Sequence, residues 1–189
     1  MNKKKSLALL IALFTFMFIT VAAYAQSYTT AFPTKYNGEW AVRYELKIDT
    51  YRKLVSIQYG GSRSWRNNNP GNLKYGDFAK QNGAIGHDLV AGRDGDFAIF
   101  PDYATGNNAK KTLITTTYYS YTIQTMMEKY APRSENNTDA YIAFIVNRTG
   151  MSKNTYISSM SNSQLESLID AMKVYEGYSV GTVYTYVEG

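Results

Sequence analysis

The sequence predicts an α+β domain, and three observations lead there. Residues 40 to 49 alternate apolar and polar side chains with period two. From residue 104 onward, apolar residues recur at helical spacing between capping signals. No internal repeat and no linker-like stretch divides the 189 residues, so one domain with its own core is expected at 39 to 189.

The first 25 residues are read apart from that domain. Met1 to Lys5 is basic, Ser6 to Ile19 is almost wholly apolar, and Ala23-Tyr24-Ala25 is a small-residue exit. These are the three parts of a secretory signal peptide, with cleavage before Gln26. The expected location is periplasmic or extracellular, with no stable membrane anchor once the signal is removed. The chain has no cysteine, which excludes a lipid-anchored lipoprotein, disulfides and thiolate metal sites. The formal charge of +5 includes Lys3, Lys4 and Lys5, so the basic isoelectric point does not argue for nucleic-acid binding. The 18 tyrosines are more informative, because each offers a flat apolar face with a polar tip, suited to ring-shaped ligands such as sugars.

Element by element, residues 26 to 38 carry Ser, Thr, Pro, Asn and Gly and read as a loose leader. Trp40, Val42, Tyr44, Leu46 and Ile48 then form one face of a half-buried strand. Residues 59 to 96 hold many Gly and Asn and read as loop with short strands. Phe97-Ala98-Ile99-Phe100 is a short apolar piece closed by Pro101. Helices are predicted over Ala104 to Tyr118 and Ile123 to Tyr130, the latter stopped by Pro132. A third, capped by Asn137 or Asn136, turns Ala140, Tyr141, Phe144 and Ile145 inward. Ser161-x-x-Gln164 is a capping box for a fourth, with Leu165, Leu168, Ile169 and Met172 as its stripe and Gly177 just past its end. Tyr178 to Val187 returns to strand-like alternation.

Arg66-Asn67-Asn68-Asn69-Pro70-Gly71-Asn72-Leu73 is the most unusual string. Pro-Gly calls for a tight turn, and Asn side chains readily bond nearby backbone. On a rigid loop the same amides are also able to hold a neutral polar ligand. Gly61 to Gly76, containing this string, resembles the RNNNPGNL signature of phage virion and phage-derived bacterial proteins described as lysozyme-like or lytic-transglycosylase-like. The likeness continues through Asp77-Phe78-Ala79, Gly83-Ala84, Gly95 to Phe100, Gly106 with Ala109, Tyr130-Ala131-Pro132, Glu135-Asn136, Thr138 and Tyr141. It therefore spans residues 61 to about 150. A looser similarity to bacterial glucosaminidases is also visible. The resemblance implies a lysozyme-like α+β fold, mainly helical with a small antiparallel sheet, around a glycan groove.

Such enzymes carry a Glu at a helix end as general acid, and the resemblance places it near residue 56. Leu54 to Gly60 holds no carboxylate. Ile169 to Tyr178 has the missing shape instead, an amphipathic helix ending in Glu176-Gly177-Tyr178. If the chain ends meet, Glu176 is set beside the Asn loop, as in a circular permutation. Glu176 is thus the catalytic candidate and Glu135 the second. Glu135 precedes a helix start, where the dipole favours a carboxylate. The expected substrate-binding residues are Arg66, Asn67, Asn68, Asn69, Asn72, Tyr75, Tyr130 and Tyr178. No metal and no cofactor is expected: His87 stands alone, and Asp94-Gly95-Asp96 lacks the further ligands of a calcium loop. The expected activity is cleavage of peptidoglycan strands by a monomer, of lytic transglycosylase or muramidase type. The alternative is an inactive exported glycan-binding module.

Overall fold

The computed structural model describes residues 27–91 and 95–189, so the predicted signal peptide and Asp94 lie outside the described residues. Among the described residues, no helix is long and apolar enough to cross a membrane.

Strand β1 (Thr30–Tyr36) and strand β2 (Glu39–Lys47) form an antiparallel hairpin that pairs Tyr36 with Glu39. The two-residue turn is Asn37-Gly38, with φ of 50° and 81°. Both residues are left-handed, as a primed hairpin turn requires, and Asn-Gly is the pair that tolerates it best. The segment expected to be a loose leader therefore carries a sheet strand. Asp49 shapes the next turn by accepting the N–H groups of Tyr51 and Arg52, each at 2.9 Å. Strand β3 (Lys53–Tyr59) follows.

Helix α1 (Arg63–Arg66) is a single turn that opens the Asn-rich loop, and helix α2 (Asp77–Gln81) is little longer. Strands β4 (Gly86–Asp88) and β5 (Phe97–Ile99) form a separate two-stranded sheet. Helix α3 (Tyr103–Thr117) starts at the cap Asp102. Helix α4 (Ile123–Tyr130) carries a capping box from Thr122 and Thr125, and helix α5 (Thr138–Thr149) is capped by Asn137. A 3₁₀ turn at Ile157–Ser159 leads to helix α6 (Asn162–Tyr175), opened by the Ser161–Gln164 capping box. Strand β6 (Thr182–Glu188) returns to the first sheet, where it pairs with β3. The order is β1-β2-β3-β6, antiparallel throughout.

The expected mainly helical architecture with a small sheet is corrected by this arrangement. Helix takes 38% of the described residues and strand 24%, so sheet is a principal component. The physical reason is the two flanking segments: the Asn37-Gly38 turn recruits β1, and β6 adds the fourth strand. Position 56, where the resemblance placed an acid at a helix end, is a buried serine in the middle of β3.

The largest core lies among the helices. Ile114 of α3, Met126 and Met127 of α4, Ile145 of α5 and Leu168 and Met172 of α6 are fully buried together. Of the residues expected inside α5, Tyr141 and Ile145 are buried, whereas Ala140 is exposed and Ile142 is buried in its place. A second cluster joins the Asn loop to the helices through Leu73, Ala98, Phe100 and Ala109. A third ties the sheet to β5 through Ala31, Val42, Tyr44 and Ile99. At Gly106, α3 lies so close to the loop that a Cβ would overlap the Asn68 carbonyl oxygen. Since β6 pairs with β3, the whole segment from α1 to α6 is an excursion that starts and finishes at the same sheet. That closure brings the end of α6 back over the loop after β3.

Candidate functional site

The Asn-rich loop is built from inside. The Asn69 Oδ1 accepts the N–H of Leu73 at 2.9 Å, and its Nδ2 donates to the carbonyls of Leu73 and Ala98, both at 2.9 Å. Asn68, left-handed at φ 51°, donates to the Phe100 carbonyl at 3.2 Å. Asn67 donates to Asp88 at 3.2 Å. Arg66 donates to the carbonyls of Gly60 and Gly61 at 3.0 and 2.8 Å, and Tyr44 donates to the Arg66 carbonyl at 2.6 Å. Arg63 clamps the buried Asp88 carboxylate at 2.7 Å. Arg66, Asn67, Asn68 and Asn69 are all buried. The side chains of Arg66, Asn68 and Asn69 serve backbone carbonyls and N–H groups and that of Asn67 the Asp88 carboxylate, so these four residues, expected to bind substrate, hold the loop together from inside.

Asn72 differs. It is left-handed at φ 45° and only half buried, and its Nδ2 donates to Glu176 Oε2 at 3.0 Å. The two residues are 104 apart in sequence. Glu176 is the C-cap of α6, followed by Gly177 at φ 73°. Its other oxygen, Oε1, accepts from the Tyr141 hydroxyl at 2.7 Å and lies 3.3 Å from the Tyr130 hydroxyl. Tyr130 has one proton to give, and it stands closer to the Gly71 carbonyl, at 2.6 Å. Beneath them Lys110 is fully buried, donating to the Pro70 carbonyl at 3.3 Å with Nζ 3.8 Å from Glu176 Oε1. Burial lowers the Lys110 pKa, and Glu176 opposes that shift.

These groups line a cleft of about 480 Å³. Gly71, Asn72 and Leu73 of the loop form one wall, and Tyr130, Asn136 and Tyr141 another, with Glu176 between them. Phe78, Phe97 and Leu113 supply apolar surface, and Lys74 completes the lining. The sequence-predicted residues thus divide. Asn72, Tyr130 and Glu176 meet in the cleft, and the four buried loop residues lie beneath it. Tyr75 instead stacks on His87 at 4.7 Å, and Tyr178 packs edge-on against Tyr103 at 5.9 Å, neither lining the cleft. Glu135 is exposed in the turn before α5, beside the cleft residue Asn136. His87 is held by Asp96 at 2.9 Å. Among the described residues no cluster of His, Cys, Asp or Glu is arranged to hold a metal.

Sequence reasoning missed Lys110 and the role of Tyr141. Lys110 had a visible signal. Gly106, Lys110 and Ile114 sit four apart on one face of α3, and all three are buried. A lysine on an apolar stripe asks for a buried partner.

Burial raises the pKa of Tyr44, Tyr130 and Tyr141, with the Glu176 charge adding to the last two. The stability linked to these raised values is fully present below the unfolded tyrosine pKa of about 10 and is lost as pH climbs above it. Lys110 has the opposite sign, since its lowered pKa adds stability as pH rises towards about 10.5. Alkaline titration should therefore show a delayed tyrosinate absorbance rise for the three buried tyrosines, coinciding with loss of near-UV circular dichroism. A smooth rise of all tyrosines near pH 10 in the folded protein would contradict this.

No protein-family profile matches the chain, and no solved structure matches it. Among curated proteins, protein P5 of Pseudoalteromonas phage PM2 is 31% identical over 130 residues, which cover 67% of this chain and 77% of that protein.

Proposed function

The chain belongs to the family of protein P5 of Pseudoalteromonas phage PM2, and from that premise we propose that it cuts the glycan strands of peptidoglycan, with Glu176 as general acid. A phage meets its host at the cell envelope, and the RNNNPGNL-type resemblance points to the same polymer. The observation that carries the reading is the meeting of Glu176 with Asn72 in one cleft at 3.0 Å.

Glu176 is the one carboxylate lining the cleft among the described residues. Its side chain is 14% exposed, which leaves contact with a ligand while excluding most water. Tyr141 donates to Glu176 Oε1 at 2.7 Å and Asn72 to Oε2 at 3.0 Å, so both oxygens of the carboxyl group are held in place at the cleft wall. A carboxyl group positioned in this way suits proton transfer to a leaving group. The apolar wall of Phe78, Phe97 and Leu113 matches sugar faces and acetyl methyls, and Asn72 and Asn136 match amides and hydroxyls.

With one carboxylate, intramolecular attack serves better than the two-carboxylate schemes. Glu176 gives its proton to the glycosidic oxygen as the bond from that oxygen to C1 breaks. The carboxylate then takes the proton of the sugar's own C6 hydroxyl as O6 bonds to C1, closing an anhydro ring and restoring the acid. Incubation with purified sacculi should release soluble fragments, and mass spectrometry should find anhydro ends. Reducing ends in their place would reassign the chemistry to hydrolysis. Retention on insoluble peptidoglycan with no release would overturn the enzyme and leave a binding module.

A further inference from the structure

The two edges of the four-stranded sheet are built differently. An open edge exposes unpaired backbone groups, and proteins guard such edges with proline, lysine, bulges or a covering element. β1 is guarded. It carries Pro33 and Lys35, and Gly86 of β4 rests against the Ala31 backbone. β6 is not. Among the described residues its one sheet neighbour is β3, and Thr182 to Val187 contains no charge and no proline. The only charge on the strand, Glu188, is held by Arg43 at 2.5 Å. Val183 is 53% exposed, Val187 48% and Tyr184 46%. Because side chains alternate, Val183, Thr185 and Val187 share one face, Tyr184 and Tyr186 the other. Apolar surface is therefore open on both sides of the edge.

The order of residues identifies what fits there. Val183-Tyr184-Thr185-Tyr186-Val187 reads the same in both directions. An antiparallel pair of identical strands about a two-fold axis places residues equidistant from the centre opposite each other. That symmetry is the one demand an isologous interface makes. We propose that β6 pairs with β6 of a second copy of this chain, antiparallel about Thr185, joining two four-stranded sheets into one of eight strands. Val183 then faces Val187 of the second copy, Tyr184 faces Tyr186, and Thr185 faces itself. Apolar meets apolar on both faces, and no charge stands opposite a like charge. On the tyrosine face, the existing stack of Tyr36, Tyr184 and Tyr186 continues across the axis. A single strand edge buries less than the ~1,600 Å² of a standard interface, so the dimer is reversible and replaces the monomer expected from the sequence. None of the cleft-lining residues lies on β6, so the pairing is independent of the proposed catalysis.

Sedimentation velocity at increasing protein concentration tests it, with near-UV circular dichroism as the check on folding. The native chain should move from monomer to dimer and stop there. Val183→Lys with Val187→Lys puts lysine opposite lysine twice and should give a monomer at every concentration. Val183→Lys with Val187→Glu puts a cation opposite an anion twice and should restore the dimer. A native chain that stays monomeric overturns the proposal, as does a folded double-lysine variant that still dimerises. So does a folded charge-swap variant that stays monomeric, or open-ended assembly beyond the dimer.

Discussion

Replacing Glu176 by Gln should lower the release of soluble fragments from sacculi by about 10²–10⁴-fold, the range for loss of a positioned general acid. The amide keeps an oxygen to accept from Asn72 or Tyr141 but has no acidic proton for the leaving group. The fold should survive with a measurable loss of stability, because the substitution removes the partner of the buried Lys110. An uncompensated buried charge is costly, yet burial already lowers the Lys110 pKa, so the amine is able to shed its proton. The loss in melting temperature should therefore shrink as pH rises. Pairing Glu176→Gln with Lys110→Met removes both partners and should recover the stability while leaving the activity lost. Full fragment release by the folded single variant would remove Glu176 from the chemistry.

The largest stability effect is expected from Gly106→Ala. In an exposed helix interior this change stabilises by about 1 kcal/mol. Here the new methyl would overlap the Asn68 carbonyl oxygen, and neither side yields easily. Asn68 is bonded through its N–H to Trp65 at 3.0 Å and through its amide to Phe100. Gly106 sits on the face of α3 that carries the buried Lys110 and Ile114. A net loss of about 3 kcal/mol is expected, at the upper end of overpacking costs. Asn108→Ala, two residues away on the exposed face, is the control and should be neutral or slightly stabilising. If Gly106→Ala melts no lower than this control, the close approach of helix and loop is wrong. Because the displaced loop carries Asn72, fragment release should fall with stability.

The parts of this fold that local chemistry dictates were legible in the sequence. Strand β2 announced itself through alternation, and α6 through its capping box, its stripe and the glycine past its end. The expectation that Glu176 returns to the Asn loop came from that helix end, and the structure places the two together. β1 was misread because Asn37-Gly38 was grouped with its polar neighbours as leader, although Asn-Gly between strands is a hairpin signal in its own right. The Asn amides illustrate a different limit. Asn67, Asn68, Asn69 and Asn72 are chemically identical, and only the path of the loop decides that the first three turn inward, to Asp88 and to backbone, while the fourth reaches Glu176. Lys110 sits between these cases: its position on a buried stripe was visible, but its partner was not, since contacts this distant in sequence leave no local trace.

The pairing of β3 with β6 also sets an order of events for the newly made chain. Tyr59 must find Thr182, and closing a loop of that length costs on the order of 4 kcal/mol in entropy before any contact offsets it. Such non-local pairing is slow compared with helix formation. The helices that carry Tyr130, Tyr141, Lys110 and Glu176 are therefore expected to form first, and Tyr141 meets Glu176 as α5 packs on α6. The docking of β6 on β3 comes last and closes the chain's excursion from the sheet.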